Sequence, residues 1–225
     1  MSGFLRPLAQ YGTLVFDCDG VILDSNQIKT EAFREVALPY GSEAAAALVK
    51  YHVENGGISR FRKFQYFLDE ILLEAATPER VTALATKYGD CVYKGLLSCS
   101  VTPGLKELRQ QTQGMGWMIV SGGADDELRR VFDQRGLAPL FDKGIFGSPS
   151  TKDEIFGRLL SSQMLNLPAL FVGDSRYDHE ASRRAGLDFV FASRWTEFSG
   201  WPAYCNQHEI CGISAVADLL CEPIV

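Results

Sequence analysis

The sequence predicts an α/β protein: a parallel-sheet core with helices on both faces, plus an inserted all-helical cap. Three observations predict it. Short apolar runs at Leu14–Phe16, Trp117–Val120, Ala169–Val172 and Phe189–Ala192 have the length and composition of buried strands. In the second half of the chain these runs alternate with helix-period segments, the pattern of a parallel sheet covered on both sides. Between the first run and the second, from Ser25 to the middle nineties, every segment is helical in period.

Residues 1–11 read as a lead-in. From Ser25 the period becomes helical, with Ile28, Ala32, Phe33, Val36 and Ala37 on one face and Pro39 with Gly41 as the stop. A second helix is expected from about Glu43 to Glu54, ended by Asn55-Gly56-Gly57. Ser59 is a candidate N-cap for a third, carrying Phe61, Phe64, Phe67, Leu68, Ile71 and Leu72. Thr77-Pro78 opens a fourth, where proline in the first turn loses no hydrogen bond. Its apolar positions include Val81, Leu84 and Tyr88. Thr102-Pro103 starts a short helix with Leu105 and Leu108, and Asp125 to Arg135 forms another, closed by Gly136. Thr151-Lys152-Asp153 begins a helix with Ile155, Leu159 and Leu160, and a further helix ends at Gly186. The tail from Thr196 reads as packed loops, with a last short helix over residues 213–220. The expected division is a core of residues 1–24 and 97–225 and a cap of residues 25–96.

At 225 residues the chain has room for a sizeable core, and its 46% hydrophobic and 22% charged content is ordinary for a globular protein. Lys+Arg of 22 against Asp+Glu of 28 gives a net charge of −6. That balance excludes a general nucleic-acid or anionic-membrane surface, so an anionic substrate must be held by local cations. No segment reads as a signal peptide or reaches bilayer length, so a cytoplasmic chain with six reduced cysteines is expected. Cys205, His208 and Cys211, joined by Cys221, have a spacing that could hold a metal, but paired Cys-x-x-Cys elements are missing. Buried, unreactive thiols are the preferred reading there.

The chemistry concentrates at strand ends. The first apolar run stops at Asp17-Cys18-Asp19-Gly20, and residues two apart on an extended chain face one side. Two converging carboxylates repel unless a cation or shared proton offsets them, and Mg²⁺ suits hard oxygen ligands. The other runs stop at Ser121-Gly122-Gly123 and Gly173-Asp174, and Lys152 lies at a helix start. Ligands of open parallel sheets bind beyond the carboxyl ends of the strands, which would put all of these on one edge. Carboxylates, a hydroxyl, an ammonium and glycine-rich backbone suit metal-assisted phosphoryl transfer. Taken singly, each residue has a plainer reading: Asp174 as a helix cap, Asp178 as a first-turn carboxylate favoured by the helix dipole, Lys152 as a solvated lysine.

In sequence order, Asp17-Cys18-Asp19-Gly20-Val21-Ile22-Leu23-Asp24-Ser25, Ser121, Lys152 and Gly173-Asp174-Ser175-Arg176-Tyr177-Asp178 resemble the four motifs of the haloacid dehalogenase superfamily. The helical insert between the first two points to the branch containing phosphoglycolate phosphatase and β-phosphoglucomutase. The resemblance implies a Rossmann-like core and an Mg²⁺-dependent phosphatase for a small phosphorylated metabolite, of the sugar-phosphate or phosphoglycolate type. Under it, Asp17 is the nucleophile that forms an aspartyl-phosphate and Asp19 is the general acid and then base. The metal set is Asp17, the carbonyl of Asp19, and Asp174, with Asp178 acting through water or by orientation. Ser121, Gly122 and Lys152 hold the phosphoryl oxygens. Ser121-Gly122-Gly123 departs from motifs with Asn after the hydroxyl residue, and Val21 stands where many phosphatases of the branch have Thr. The Asp-Gly-Val-Ile form also occurs in hexose-phosphate mutases, which keeps a mutase open.

Gly57-Ile58-Ser59-Arg60 resembles a cap segment of β-phosphoglucomutase, which implies that Arg60 grips a distal phosphate or carboxylate. Arg62 and Lys63 are expected on the solvated side of their helix. A phosphonatase would use a cap lysine, for which Lys29, Lys50 and Lys63 are available, and a dehalogenase is disfavoured by Asp19. A non-catalytic phosphate-sensing or partner-binding module is the alternative of another class. The expected partner is a small phosphorylated substrate, with no nucleic acid, no membrane, and a monomer or homodimer.

Overall fold

The computed structural model describes residues 6–220. Six parallel strands form one sheet: β1 (Thr13–Phe16), β2 (Gly116–Ala124), β3 (Ile145–Ser148), β4 (Ala169–Gly173), β5 (Asp188–Ala192) and β6 (Gly212–Ile213). Their spatial order is β3-β2-β1-β4-β5-β6, so β1 is central and the strand order reverses between β1 and β4. This crevice is where open α/β sheets bind ligands. All four residues of β1 are buried, as a strand covered on both faces requires.

Its side chains feed two cores. Leu14 and Phe16 join Trp117, Ile119, Leu170 and Val172 on one face. Val15 joins Met118, Val120, Phe171 and the inner residues of α7 (Lys152–Ser161) and α8 (Arg176–Ala185) on the other. Helices α5 (Leu105–Gln111), α6 (Asp125–Gln134) and α9 (Trp201–Gln207) complete the layers.

The insert holds α1 (Asn26–Ala37), α2 (Ser42–Glu54), α3 (Arg60–Tyr66) and α4 (Pro78–Ser98), with a π-helical turn over Phe67–Ile71. Ser59 and Thr77 cap α3 and α4, as expected, by accepting from the N–H groups of Arg62 and Arg80. The chain leaves and re-enters the core at one place. Leu23 bridges Val101 in antiparallel fashion, and the Asp24 N–H donates to the Ser100 carbonyl at 3.0 Å.

Some expectations are corrected. β2 does not stop at Val120 but runs through Ser121, Gly122 and Gly123, with irregular pairing to β3 before Ala124. β3 and β6 were not expected; the first is short and glycine-bearing, the second has two residues. The helix after Thr102-Pro103 starts at Leu105, behind Gly104 in a left-handed conformation. The tail forms α9, β6 and a 3₁₀ turn over Val216–Leu220 rather than loops and a helix. Among the described residues, no helix is long and apolar enough to cross a membrane. Cys205, His208 and Cys211 do not converge as a metal set, and Cys221 lies outside the described residues.

Candidate active site

Asp17 follows β1, Asp174 follows the neighbouring β4, and Asp178 lies in the first turn of α8. Carboxylate oxygens of these three buried residues lie within 4.8 Å of one another. The Lys152 ammonium, at the start of α7, donates to Asp17 Oδ1 at 2.7 Å and to Asp178 Oδ1. Lys152 is brought there by a capping box, in which Thr151 accepts from the Glu154 N–H and Glu154 accepts from the Thr151 N–H.

Three carboxylates against one ammonium leave negative charge unbalanced. Burial raises Asp17 to about 7; Lys152 opposes this, while Asp178 and Asp19 add to it. Burial, with Asp17 and Asp178 behind it, pushes Asp174 well above the ordinary carboxylate range. Burial also opposes the charge on Lys152, yet Asp17 and Asp178 hold its proton more tightly than usual. A hard divalent cation among these oxygens fits both the donor chemistry and the missing charge.

Asp178 is already held on every side. Its Oδ2 accepts from the N–H groups of Asp174 and Ser175 and from Ser175 Oγ at 2.7 Å, closing a second capping box. Asp174 is steered by Asn26 of the insert, whose Nδ2 donates to its Oδ2 at 2.8 Å. Gly20 is required beside it: its φ is +78°, and a Cβ there would sit 2.1 Å from Asp174 Oδ2.

Asp19 lines the same cavity as Asp17, with partners of its own. The strand ends at Phe16 and the chain bends at Cys18, whose carbonyl accepts from the Ile22 and Leu23 N–H groups, and the Asp19 carboxylate turns toward the insert. It accepts from Lys29 Nζ at 2.5 Å and Ser25 Oγ at 2.6 Å. Burial works against ionisation, but Lys29 and these bonds hold Asp19 below its ordinary value.

Asp17, Asp19, Asp174 and Gly122 line a cavity of about 290 Å³ whose other wall is built by Lys29, Phe33, His52, Lys63 and Tyr88 of the insert. The insert touches the core at Gly122, where a Cβ would meet the Gly57 carbonyl oxygen at 2.3 Å. Lys152 and Gly122 line an adjoining cleft with Gly57, Ile58 and Tyr177. Ser121 is fully buried and its Oγ accepts from the Gly123 N–H at 3.0 Å.

A family-level comparison matches residues 11–186 to the haloacid dehalogenase-like hydrolases. The chain belongs to this family. Phosphoglycolate phosphatase of Pseudomonas putida is 27% identical over 201 residues, which cover 84% of this chain and 73% of the relative. β-Phosphoglucomutase from Clostridium difficile superposes with a TM-score of 0.69 at 19% identity, covering 93% of each chain. The hydrolase YfnB of Bacillus subtilis, solved with magnesium bound, gives a TM-score of 0.58 at 23% identity, covering 81% of this chain and 88% of the other. These solved neighbours share the fold.

In this haloacid dehalogenase-like hydrolase the cap arginine sits elsewhere than expected. Arg60 does not line the cavity: its guanidinium is bidentate on Glu127 of α6, with Nη1 3.0 Å from Oε2, and it lies 4.5 Å over the Tyr88 ring. It is a buried strut between insert and core. Lys63, expected to be solvated, is 2% exposed and faces the cavity, whereas Arg62 is exposed. The sequence reading also missed Asn26 as a partner of Asp174, Lys29 as a partner of Asp19, and Glu127. The buried face of α1 carries Lys29 beside Ala32 and Phe33, and that lysine one turn along an apolar stripe was the available signal.

Glu127→Gln leaves the Arg60 guanidinium buried without its carboxylate. The expected cost is about 2 kcal/mol, or roughly 4–8 °C of melting temperature for a chain of this size. Replacing both partners, Arg60→Met with Glu127→Leu, recovers most of the loss. Thermal melts check this, and a single variant as stable as wild type would remove the strut from the account.

Proposed function

We propose that this hydrolase is an Mg²⁺-dependent phosphatase for a small phosphorylated metabolite of the sugar-phosphate or phosphoglycolate type, working in the cytoplasm as a monomer or homodimer. The reading carries with it a core of residues 1–24 and 97–225 and a cap of residues 25–96. One observation supports it above the others: Asp17, at the switch point, is held by Lys152 on Oδ1 only, facing a cavity closed by the insert. Its Oδ2 accepts no hydrogen bond among the described residues and is available for attack.

In this reading Asp17 Oδ2 attacks phosphorus, and the bond to the leaving oxygen breaks as Asp19 gives that oxygen a proton. Asp19 then takes a proton from water, which attacks the aspartyl-phosphate and releases phosphate. In the free site Lys29 keeps Asp19 ionised; a phosphoryl dianion arriving beside it raises its affinity for the proton it must donate. Lys152 offsets charge on Asp17 and the phosphoryl oxygens, and the Gly122 N–H is available to the phosphate. Asp17, the Asp19 carbonyl and Asp174 would hold Mg²⁺, oriented by Asp178, and the ion would supply charge neutralisation at the phosphoryl group.

A panel of phosphate esters assayed for phosphate release, with and without Mg²⁺, tests the reading. No release from any ester would sink it. The Asp19-Gly20-Val21-Ile22 sequence, a form that also occurs in hexose-phosphate mutases, leaves a mutase open as a second reading, for which isomerisation would proceed without net phosphate.

The metal site makes a prediction of its own. Because folding raises Asp17 from 3.8 to about 7, the folded chain keeps a proton that the unfolded chain has released across that window. That contribution is present below about pH 4 and is lost as pH rises through about 7 when chelator is present. Mg²⁺ on the same oxygens competes with the proton. The rise in melting temperature caused by Mg²⁺ is therefore expected to be larger at pH 7.5 than at pH 5, and equal shifts would count against the carboxylate set.

A further inference from the structure

The cavity wall supplied by the insert contains two buried lysines in different situations. Lys29 is 7% exposed and has a carboxylate partner in Asp19. Lys63 is 2% exposed and, among the described residues, has no carboxylate within ion-pair distance. Its Nζ lies 2.7 Å from His52 Nδ1, 3.4 Å from the His52 carbonyl and 5.5 Å from the Phe33 ring centre. A buried ammonium without a counterion is costly: it gives up its proton more readily, and an anion placed beside it relieves the cost.

His52 gives a second, independent sign. Its Nε2 is buried with no hydrogen-bond partner, and it carries the ring proton whenever Nδ1 accepts from the Lys63 ammonium. Burial, then Lys63 and Lys29, keep this imidazole neutral. The cavity thus has catalytic carboxylates on its core side, and on its cap side Lys63 without a carboxylate partner, next to His52. Arg60, which the sequence puts forward for a distal anion, is taken by Glu127.

Resting on the phosphatase reading above, we infer that Lys63, backed by His52, receives an anionic group that the substrate carries away from its scissile phosphoryl: a carboxylate or a second phosphate. Electrostatics agree with the geometry. Burial and the neighbouring charge of Lys29 bring Lys63 down to about 7, against a weaker pull from Asp19, Glu197 and Asp174. A bound anion supplies what those groups do not.

The test compares matched esters on wild type and Lys63→Met. One pair is 2-phosphoglycolate and ethyl phosphate, which differ by a carboxylate. The other is 1,3-propanediol bisphosphate and propyl phosphate, which differ by a phosphate. Wild type is expected to prefer the charged member of one pair in kcat/KM, and Lys63→Met to cut that preference by about 30-fold, the scale of a charge-assisted hydrogen bond. The pair that responds identifies the anion. A wild-type chain without preference in either pair, or a preference unchanged within about threefold in the variant, overturns the inference.

Binding supplies the same comparison without turnover. On the Asp17→Asn chain, the charged ester should raise the melting temperature more than its neutral partner, and Lys63→Met should erase the difference. A retained binding preference with no phosphate release by wild type refutes the phosphatase reading alone. Phosphate release with no Lys63-dependent preference refutes this inference alone. Lys63→Met without ligand is expected to melt at or above the wild-type temperature, since an unpaired buried charge has gone; a marked fall would indicate a purely structural lysine and overturn the assignment.

Discussion

Asp17→Asn is expected to abolish phosphate release, by roughly 10⁴-fold or more in kcat, the scale on which loss of a covalent nucleophile is felt. An amide of the same shape cannot attack phosphorus. It can still accept from Lys152 at the position where Oδ1 now lies, 2.7 Å from Nζ. The folded structure and the melting temperature should therefore survive while the chemistry does not. Acid quench of wild type with ³²P-labelled ester should trap label on the protein, and the variant should carry none. Turnover by the variant within tenfold of wild type would mean that another group opens the ester.

Lys152→Met strikes stability and chemistry together. The ammonium is 1% exposed and, among the described residues, is the one cation bonded to Asp17 and Asp178. Without it three buried carboxylates face one another, a cost of about 4 kcal/mol by comparison with other broken buried pairs. For a chain of this size that is roughly 8–16 °C of melting temperature. Activity should fall about 10²–10³-fold, as when one fixed donor to a developing phosphoryl charge is lost. Mg²⁺ should restore part of the lost melting temperature, more in the variant than in wild type. A variant melting within two degrees of wild type would show that the carboxylates are balanced by something else.

Much of this was legible from local rules. Ser59, Thr77 and Thr151 announce their helices because a capping side chain and the N–H it satisfies lie within one turn. The strand ends at Asp17 and Asp174 could be read because apolar runs stop there, and parallel pairing then sets them side by side. Arg60 could not be placed, since its partner Glu127 is remote in sequence and sits in an acidic first turn that the helix dipole already explains. Lys63 misleads for the opposite reason. Its neighbours Arg60 and Arg62 make a basic run that resembles a wet surface, and only burial against Phe33 of α1 and His52 of α2 hides it. β3 escaped notice because Ile145 to Ser148 includes Gly147 and is too short to carry a pattern.

The bridge between Leu23 and Val101 bears on how the chain assembles. β1 and β2 are neighbours in the sheet, yet the whole insert separates Phe16 from Gly116. For a flexible loop, closure entropy grows only with the logarithm of length, about 0.6 kcal/mol for each doubling. An insert that folds first removes most of even that penalty, since its two ends emerge a single strand-width apart and deliver β1 and β2 to each other ready to pair. The four helices that wall the cavity would then also serve as the clasp on which the sheet is strung.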